Sequence, residues 1–325
     1  MINYNPTTLK EFIGQRRIKE DLTVLIKHSQ LTKEIFNHTI IFGGAGYGKT
    51  TLAQIIAHEL NYDIKIYFGG SFSSESLLDM FDCIKYSDNK MLIFIDEIHA
   101  MKPKMMEYLL LPMESFIYEG KKIPYWTLVA GTTDFGKVIA PLRGRFSNIY
   151  KLEDYHKLDI VEILKLYGCN DNILDTIASR CRGIPRIAKQ LFERIKKEWE
   201  VLSFDSPLTM DVDLCNKVFN RIGLDEYGLY QIDREIIKFL YSFNAYAGSE
   251  LFNPCGVDNL CIRLDISKSD YLLLYEPYLV KIGFIVRLPK GRIITKDAIS
   301  KVLKIQLKII KNDTEDYFNS ICVTN

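Results

Sequence analysis

A glycine-rich turn between an apolar run and a helix-forming segment constrains this chain more than any other stretch. The turn occupies residues 43–51, Gly-Gly-Ala-Gly-Tyr-Gly-Lys-Thr-Thr, and follows the apolar run 40–42. Because glycines lack side chains, they allow backbone N–H groups to point at an anion. Apolar residues then recur at helical spacing in the segment 51–60, which places the turn at a helix N-terminus, where negative charge is favoured. The pattern therefore predicts a phosphate-binding loop in an α/β fold.

The residue types in this loop match what a nucleoside triphosphate bound with Mg²⁺ requires. A lysine supplies a point charge for the β- and γ-phosphates, and the hydroxyl after it suits Mg²⁺. The alternative is an ordinary glycine-rich turn before a Lys-Thr pair, but here the spacing of the phosphate-loop motif is complete. The candidate ligands of ATP and Mg²⁺ in the loop are Gly43, Gly46, Gly48, Lys49, Thr50 and Thr51.

Short β-rich runs alternate with helical ones between residues 39 and 152. The runs lie at 39–42, 64–68, 91–95, 126–130 and 148–152. Such alternation predicts a parallel sheet with helices packed on it and a ligand site at the carboxyl ends of the strands.

Two carboxylates end the most apolar of these runs. Asp96 and Glu97 directly follow residues 91–95. In the sheet that carries the phosphate loop, Asp96 is placed to hold the Mg²⁺ shell and Glu97 to polarise the attacking water. The alternative is a pair of acidic turn residues at a strand end. For His99 we consider an orienting contact, against the simpler interpretation of a helix-start residue.

Polar and basic residues follow the next strand signal. Thr133 lies just after the run 126–130, where its hydroxyl is placed to sense the γ-phosphate or position the water; ordinary turn chemistry is the alternative. Arg143 and Arg145 lie at a helix-to-strand corner. They suit a phosphate clamp or, if supplied to a neighbouring subunit, an arginine finger. Solvated surface arginines are the alternative.

The second half of the chain is predicted to be mainly helical, with two short strands near its end. Residues 155–220 show successive amphipathic helices, with Arg186 early in one of them, in reach of a nucleotide. Residues 228–325 show helices over 231–241, 257–263 and 268–280, followed by two short strands, 284–288 and 292–295. Helices followed by a basic hairpin are typical of a winged helix.

The winged-helix region also concentrates positive charge. Between residues 281 and 311 the one acidic residue is Asp297. Such clustering suits a DNA backbone, although a solvated charged face is the alternative. The basic residues of this stretch are Lys281, Arg287, Lys290, Arg292, Lys296, Lys301, Lys304, Lys308 and Lys311.

Composition limits the class of protein. With 325 residues the chain exceeds what one hydrophobic core usually holds, so we expect two or three domains. The formal net charge of +1 means that a nucleic-acid surface must come from local clustering. The seven cysteines include no Cys-x-x-Cys pair, so we expect buried, reduced thiols in a cytoplasmic protein. No apolar run has the length of a membrane span and no signal peptide is evident, so we expect no membrane partner.

Through these motifs the chain resembles RuvB, the AAA+ motor family of bacterial Holliday junction branch migration. The likeness covers nearly the full length. The earlier segments that carry it fit many AAA+ ATPases, whereas the last two are much more specific. The earlier segments are 8–15, 43–51, 94–99, 131–133, 141–146 and 183–188, and the two specific ones are 223–229 and the pair 276–279 with 283–292.

The resemblance implies a three-part layout and a ring. A large AAA+ ATPase domain would span 1–155, a small helical lid 156–224 and a DNA-binding winged-helix head 225–325. In that family hexameric rings pull duplex DNA through their centre, with ATP at the subunit interfaces. By position, the resemblance assigns Asp96 and Glu97 as the metal and water-activating pair, Thr133 as sensor one, Arg145 as the finger with Arg143 nearby, Arg186 as sensor two, Tyr155 to the nucleotide pocket, and Arg287 and Arg292 to DNA.

Three segments depart from the family pattern. Gly44-Ala45 replaces a proline pair in the phosphate loop, and Tyr4-Asn5 replaces a leucine-arginine pair. The connection 117–123 is shorter than the β-hairpin that docks RuvA in the family. Binding of a RuvA-like partner therefore stays open.

These patterns predict an ATP-dependent DNA translocase or helicase of the RuvB type, acting in DNA recombination and repair. Its expected partners are a four-way junction or duplex DNA and further copies of the chain. Two alternatives stay open: an AAA+ DNA remodeller that works without RuvA, and a nucleotide-gated winged-helix regulator.

Overall fold

The computed structural model describes residues 5–204, 208–246 and 254–304. The chain divides into two compact units, Met1–Val218 and Phe219–Asn325. Tyr4, Lys308, Lys311 and the seventh cysteine, Cys322, lie outside the described residues.

The first unit alternates strands with helices. The strands are β1 (Thr39–Phe42), β2 (Asp63–Phe68), β3 (Met91–Asp96), β4 (Ile117–Tyr118), β5 (Lys121–Lys122), β6 (Trp126–Thr132) and β7 (Asn148–Lys151). The helices are α1 (Arg16–Thr32), α2 (Lys49–Leu60), α3 (Ser74–Tyr86), α4 (Pro103–Ser115), α5 (Ala140–Arg143), α6 (Lys157–Leu166), α7 (Asp171–Ala178), α8 (Pro185–Leu202) and α9 (Val212–Arg221), the last of which runs past the end of this unit.

Five strands form one parallel sheet in the order β2-β3-β6-β1-β7. Its core lies on both faces because successive side chains of a strand point to opposite sides. In β3, Ile93 and Ile95 join one buried cluster, while Leu92 and Phe94 join the other. The predicted strands of the parallel sheet are confirmed, and their carboxyl ends lie at one edge.

The short connection after α4 is a minimal hairpin. Its strands β4 and β5 pair antiparallel, Ile117 with Lys122 and Tyr118 with Lys121. Both turn residues, Glu119 and Gly120, have positive φ, 48° and 73°, as the tightest hairpin turns require. The ring of Tyr118 stacks on Phe81 with 3.8 Å between centroids, which ties the hairpin to α3.

The second unit has helices followed by a two-stranded wing. Its elements are α10 (Gln231–Tyr246), α11 (Val257–Leu264), α12 (Lys268–Asp270), a π turn (Tyr271–Tyr275), α13 (Glu276–Lys281), β8 (Ile285–Leu288), β9 (Gly291–Ile294) and α14 (Lys296–Lys301). An antiparallel bridge joins Cys255 to Arg292 at the wing. The predicted winged helix is confirmed, but the helix expected over 268–280 is interrupted by the π turn.

The cysteines agree with the predicted thiol state in the part of the chain that the structure describes. Six cysteines are free thiols, five of them buried and Cys83 partly exposed. The methionines after β3 fill the core; these are Met101, Met105, Met106 and Met113. In the described ranges, no helix is both long and apolar enough to cross a membrane.

Candidate functional site

The phosphate loop connects the carboxyl end of β1 to the first turn of α2. Gly46 and Gly48 adopt positive φ, 82° and 98°, which a residue with a side chain rarely adopts. A Cβ on Gly46 would also lie 2.7 Å from the Cβ of Arg186. The loop therefore needs glycine for its backbone and for the close approach of α8, and it presents backbone N–H groups at a helix N-terminus.

Lys49 is buried at the base of this loop. Its side chain is 7% exposed and its Nζ donates to the carbonyl oxygens of Gly43, at 2.9 Å, and Gly44, at 3.2 Å. Burial lowers the pKa of the Lys49 ammonium, while the charges of Glu97 and Asp96 oppose that shift. A buried cation held by carbonyl oxygens and a carboxylate 3.9 Å away is suited to an incoming phosphate.

Thr50 and Asp96 bring oxygen atoms together beside Lys49. Thr50 Oγ1 donates to Asp96 Oδ2 at 3.1 Å. The other carboxylate oxygen, Asp96 Oδ1, accepts the backbone N–H of Glu97 at 3.0 Å. A hydroxyl and a carboxylate next to a phosphate loop form the hard oxygen set that Mg²⁺ prefers, so the residues present fit this ion.

Glu97 is fixed at both its backbone and its side chain. Its φ is +48°, an uncommon value for a residue other than glycine. Its Oε2 accepts two hydrogen bonds from Thr133, from the backbone N–H and from Oγ1, both at 2.9 Å. His99 Nδ1 lies 3.1 Å from the same oxygen. Thr133 therefore contacts the predicted water-activating acid directly.

A cavity of about 530 Å³ opens over these groups. Tyr155 lines it, and the Tyr155 hydroxyl donates to the Tyr47 carbonyl oxygen at 3.0 Å. Gly43 starts the loop, and its N–H donates to the Thr132 carbonyl oxygen at 3.2 Å. Of the residues predicted from the sequence, the cavity lining includes Gly46, Gly48, Lys49, Thr50, Thr51, Asp96, Glu97, Tyr155 and Arg186.

The two corner arginines lie elsewhere. The described lining of the cavity includes neither Arg143 nor Arg145. Arg145 Nη2 donates to Glu114 Oε2 at 2.6 Å, and the Arg143 guanidinium lies 5.4 Å from the centre of the Phe135 ring. Their assignment to a nucleotide stays a prediction, and within this chain they have other partners.

Sequence reasoning missed Gly69 as part of the site. It follows β2, and a Cβ there would clash with the Glu97 carbonyl oxygen. The available signal was a Gly-Gly pair directly after a strand, which is ordinary turn composition. His99, for which only an orienting contact was considered, does contact Glu97 and also lies 2.9 Å from Thr132 Oγ1.

The wing places its two predicted DNA-binding arginines on one buried acid. Glu276 is 1% exposed, and its Oε2 lies 3.0 Å from Arg287 Nε. Its Oε1 accepts from Arg292 Nε. Arg287 is 50% exposed and Arg292 only 16%. Arg287 therefore presents more of its surface to a ligand, whereas Arg292 mainly compensates the charge of Glu276.

Comparison with known proteins gives the family. The profile of the Holliday junction DNA helicase RuvB P-loop domain matches residues 4–152, and that of the RuvB C-terminal winged helix domain matches residues 226–304. The Holliday junction branch migration complex subunit RuvB of Phytoplasma mali is 34% identical over 96% of this chain and 93% of that protein. The chain belongs to the RuvB family. The subunit of the same name from Fusobacterium nucleatum is 33% identical over 94% of each chain.

Solved RuvB structures agree with this assignment. The Thermotoga maritima RuvB Holliday junction branch migration motor superposes with a TM-score of 0.78, at 33% identity, over 93% of this chain and 99% of that one. The resemblance to RuvB, the α/β P-loop fold and the winged helix are thus confirmed. As a RuvB-family protein the chain is a nucleotide-binding ATPase.

Proposed function

We propose that this chain uses ATP hydrolysis to drive branch migration of Holliday junctions, as the names of its RuvB relatives describe. The observation that carries the proposal is the convergence of Lys49, Thr50, Asp96 and Glu97 on one cavity, in a chain that also has a winged helix. A site that only binds nucleotide has no need of a water-activating acid, so this set argues against the regulator alternative.

The chain's own residues supply the steps of hydrolysis. The loop N–H groups bind the phosphates, and Lys49 exchanges its carbonyl partners for phosphate oxygen. Thr50 and Asp96 would hold Mg²⁺, which shields phosphate charge when bound. Glu97 orients the attacking water and accepts its proton.

Arg145 and Arg186 complete the site from two directions. Arg186 lines the cavity and abuts the loop at Gly46, which suits a sensor of the bound nucleotide. Arg145 would act on the nucleotide of a neighbouring subunit in a ring, and we propose a hexamer with ATP at each interface. The ion pair of Arg145 with Glu114 is partly exposed, at 35% and 59%, and such pairs are weak enough to exchange for a phosphate.

The layout and partners complete the proposal. We retain a large ATPase domain over 1–155, a lid over 156–224 and a DNA-binding head over 225–325, in a cytoplasmic protein acting on junction or duplex DNA. The minimal hairpin β4-β5 leaves little surface for a RuvA-like partner. A RuvA-independent remodeller is therefore the second candidate function.

Branch migration on a synthetic four-way junction tests the function. We expect ATP-dependent conversion of the junction into two duplexes, without conversion when ATP is replaced by a non-hydrolysable analogue. The host's RuvA, added to a matched reaction, separates the two candidates: dependence on it supports the RuvB role, and equal rates support the remodeller. DNA binding that responds to nucleotide without any junction movement would contradict both and favour the regulator.

Both arginines of the wing pair with buried Glu276, but we expect the loss of exposed Arg287 to affect mainly DNA binding and the loss of Arg292 to affect mainly stability. Arg287→Ala should weaken binding to all DNA sequences alike and reduce the slope of log affinity against log salt by about 1, because one phosphate contact is lost. Arg292→Ala should lower the free energy of unfolding by roughly 3 kcal/mol, because buried Glu276 loses a charge partner. Fluorescence anisotropy across a salt series and thermal melts measure the two effects.

Lys268→Ala is the matched control for both arginines. Lys268 pairs with Asp258 at 2.8 Å but is 56% exposed, so its loss should change stability by less than about 1 kcal/mol. An Arg292→Ala protein that melts like the wild type would contradict the structural role of Arg292.

A further inference from the structure

One oxygen of the Glu97 carboxylate accepts two hydrogen bonds and lies beside an imidazole nitrogen. Oε2 accepts from the backbone N–H and the hydroxyl of Thr133 and lies 3.1 Å from Nδ1 of His99. His99 is 19% exposed and Glu97 24%, so these contacts are shielded from much of the solvent. Thr133 follows β6 and His99 lies in the short turn Ile98–Ala100 after β3. The two residues thus follow neighbouring strands.

Two oxygen atoms lie close to Nδ1 of His99, Glu97 Oε2 at 3.1 Å and Thr132 Oγ1 at 2.9 Å. A carboxylate only accepts hydrogen bonds, so Nδ1 must carry the proton when it bonds to Glu97. Thr132 Oγ1, 2.9 Å from Nδ1, already accepts the Asp134 N–H at 3.0 Å and can share the same ring proton. The ring of His99 is therefore held between Glu97 and the end of β6.

The other carboxylate oxygen of Glu97, Oε1, lies on the side of the phosphate loop. Oε1 lies 3.9 Å from Lys49 Nζ, the group expected to bind phosphate. The backbone is also held, because the Glu97 N–H donates to Asp96 Oδ1 at 3.0 Å and the Glu97 carbonyl oxygen accepts the Ala100 N–H at 2.8 Å. With backbone and Oε2 both fixed, the direction of Oε1 is set in advance of any ligand.

We propose that His99 is a positioning residue for ATP hydrolysis: through Nδ1 it holds Oε2 of Glu97 beside Thr133 and so directs Oε1 toward the attacking water. The inference rests on the proposed hydrolytic function. His99 acts through Glu97, and the described lining of the nucleotide cavity does not include it. Its loss should therefore lower kcat and leave nucleotide affinity unchanged, because misplacing a catalytic group by about 1 Å can cost on the order of 10²-fold in rate.

Two amide variants of His99 form the test. An asparagine amide can occupy the position of Nδ1, whereas a glutamine amide reaches instead toward the position of Nε2. We expect His99→Asn to keep kcat within about threefold of the wild type and His99→Gln to lose about 10- to 100-fold. Affinity for a non-hydrolysable ATP analogue and the melting temperature should match the wild type in both variants. Steady-state ATPase assays without DNA, analogue titrations and thermal melts measure these values.

Each outcome decides the inference. Rescue by asparagine and not by glutamine, with analogue affinity intact, supports it. Equal kcat values in both variants overturn it, whether they stay high or fall together, and so does a loss of analogue affinity or of melting temperature in step with kcat. In all of these cases the wild type hydrolyses ATP, so the results do not contradict the proposed function. A wild type that hydrolyses no ATP, with or without DNA, overturns the proposed function and this inference together.

Discussion

Lys49→Ala is expected to reduce ATP hydrolysis by about 10²- to 10³-fold or more, since removing a single buried group that stabilises transition-state charge has costs of this size. Lys49 is the cation at the base of the loop, 7% exposed, with its Nζ on two loop carbonyl oxygens. Alanine removes the charge that phosphate would meet and the ammonium that lies 3.9 Å from Glu97 Oε1. Steady-state ATPase rates in the presence of DNA measure the loss.

Lys65→Ala provides the matched control for this experiment. Lys65 lies in β2 of the same sheet, but its side chain is 43% exposed and pairs with Asp79 at 3.3 Å. Its replacement should leave the ATPase rate within about twofold of the wild type, since exposed ion pairs contribute little. Undiminished hydrolysis by the Lys49→Ala protein would mean that the loop does not hold the reacting nucleotide.

The sheet could be predicted from the sequence because parallel strands covered on both faces are apolar throughout. The run that forms β3 is buried from Met91 to Ile95, and its carboxylates follow at the sheet edge. The helix that follows the loop starts at Lys49, whereas the apolar spacing placed it in the segment 51–60. Where a helix begins or ends depends on its capping residues and on the adjacent turn, and the spacing of apolar residues does not show these.

The chemistry of the site could be predicted only in part, because a motif names residues but not their partners. The phosphate-loop motif and the acidic pair placed Lys49, Thr50, Asp96 and Glu97 together, and all four line one cavity. The contacts of His99 with Thr132 and of Glu97 with Thr133 depend on how β3 and β6 pair in the folded sheet. Such contacts between segments distant in sequence leave no periodic signal.

For the charged residues of the wing, too, the sequence does not identify their partners. The basic excess after residue 280 indicates a surface for DNA, but it does not distinguish a solvated arginine from one committed to a buried acid. Glu276 lies in the first turn of α13, where an acidic residue is also ordinary helix composition. Only the fold brings Arg287 and Arg292 onto its two oxygens.

Arg145→Ala is expected to lower the ATPase rate by about 10³- to 10⁵-fold, the range that an arginine finger supplies. In its own chain Arg145 bonds to Glu114 at 2.6 Å, and the described lining of the nucleotide cavity does not include it. As the proposed finger, Arg145 would therefore act on the site of a neighbour. On this proposal an Arg145→Ala subunit keeps its own site residues and fails only to serve the next subunit.

A mixture of Arg145→Ala and Glu97→Gln subunits tests whether Arg145 acts on the site of a neighbouring subunit. The second variant has an inactive site but still offers Arg145, so an interface between the two contains one complete set of residues. In rings that form at random from equal amounts, about a quarter of the interfaces have this arrangement, because each head-to-tail interface joins two different surfaces. We therefore expect roughly a quarter of the wild-type rate per site, measured after the subunits have exchanged.

The double variant Glu97→Gln/Arg145→Ala, mixed with Arg145→Ala, is the control. It should restore no activity, since neither partner carries the finger. If the first mixture is as inactive as the second, the site is not shared between subunits, and Arg145 acts only within its own chain.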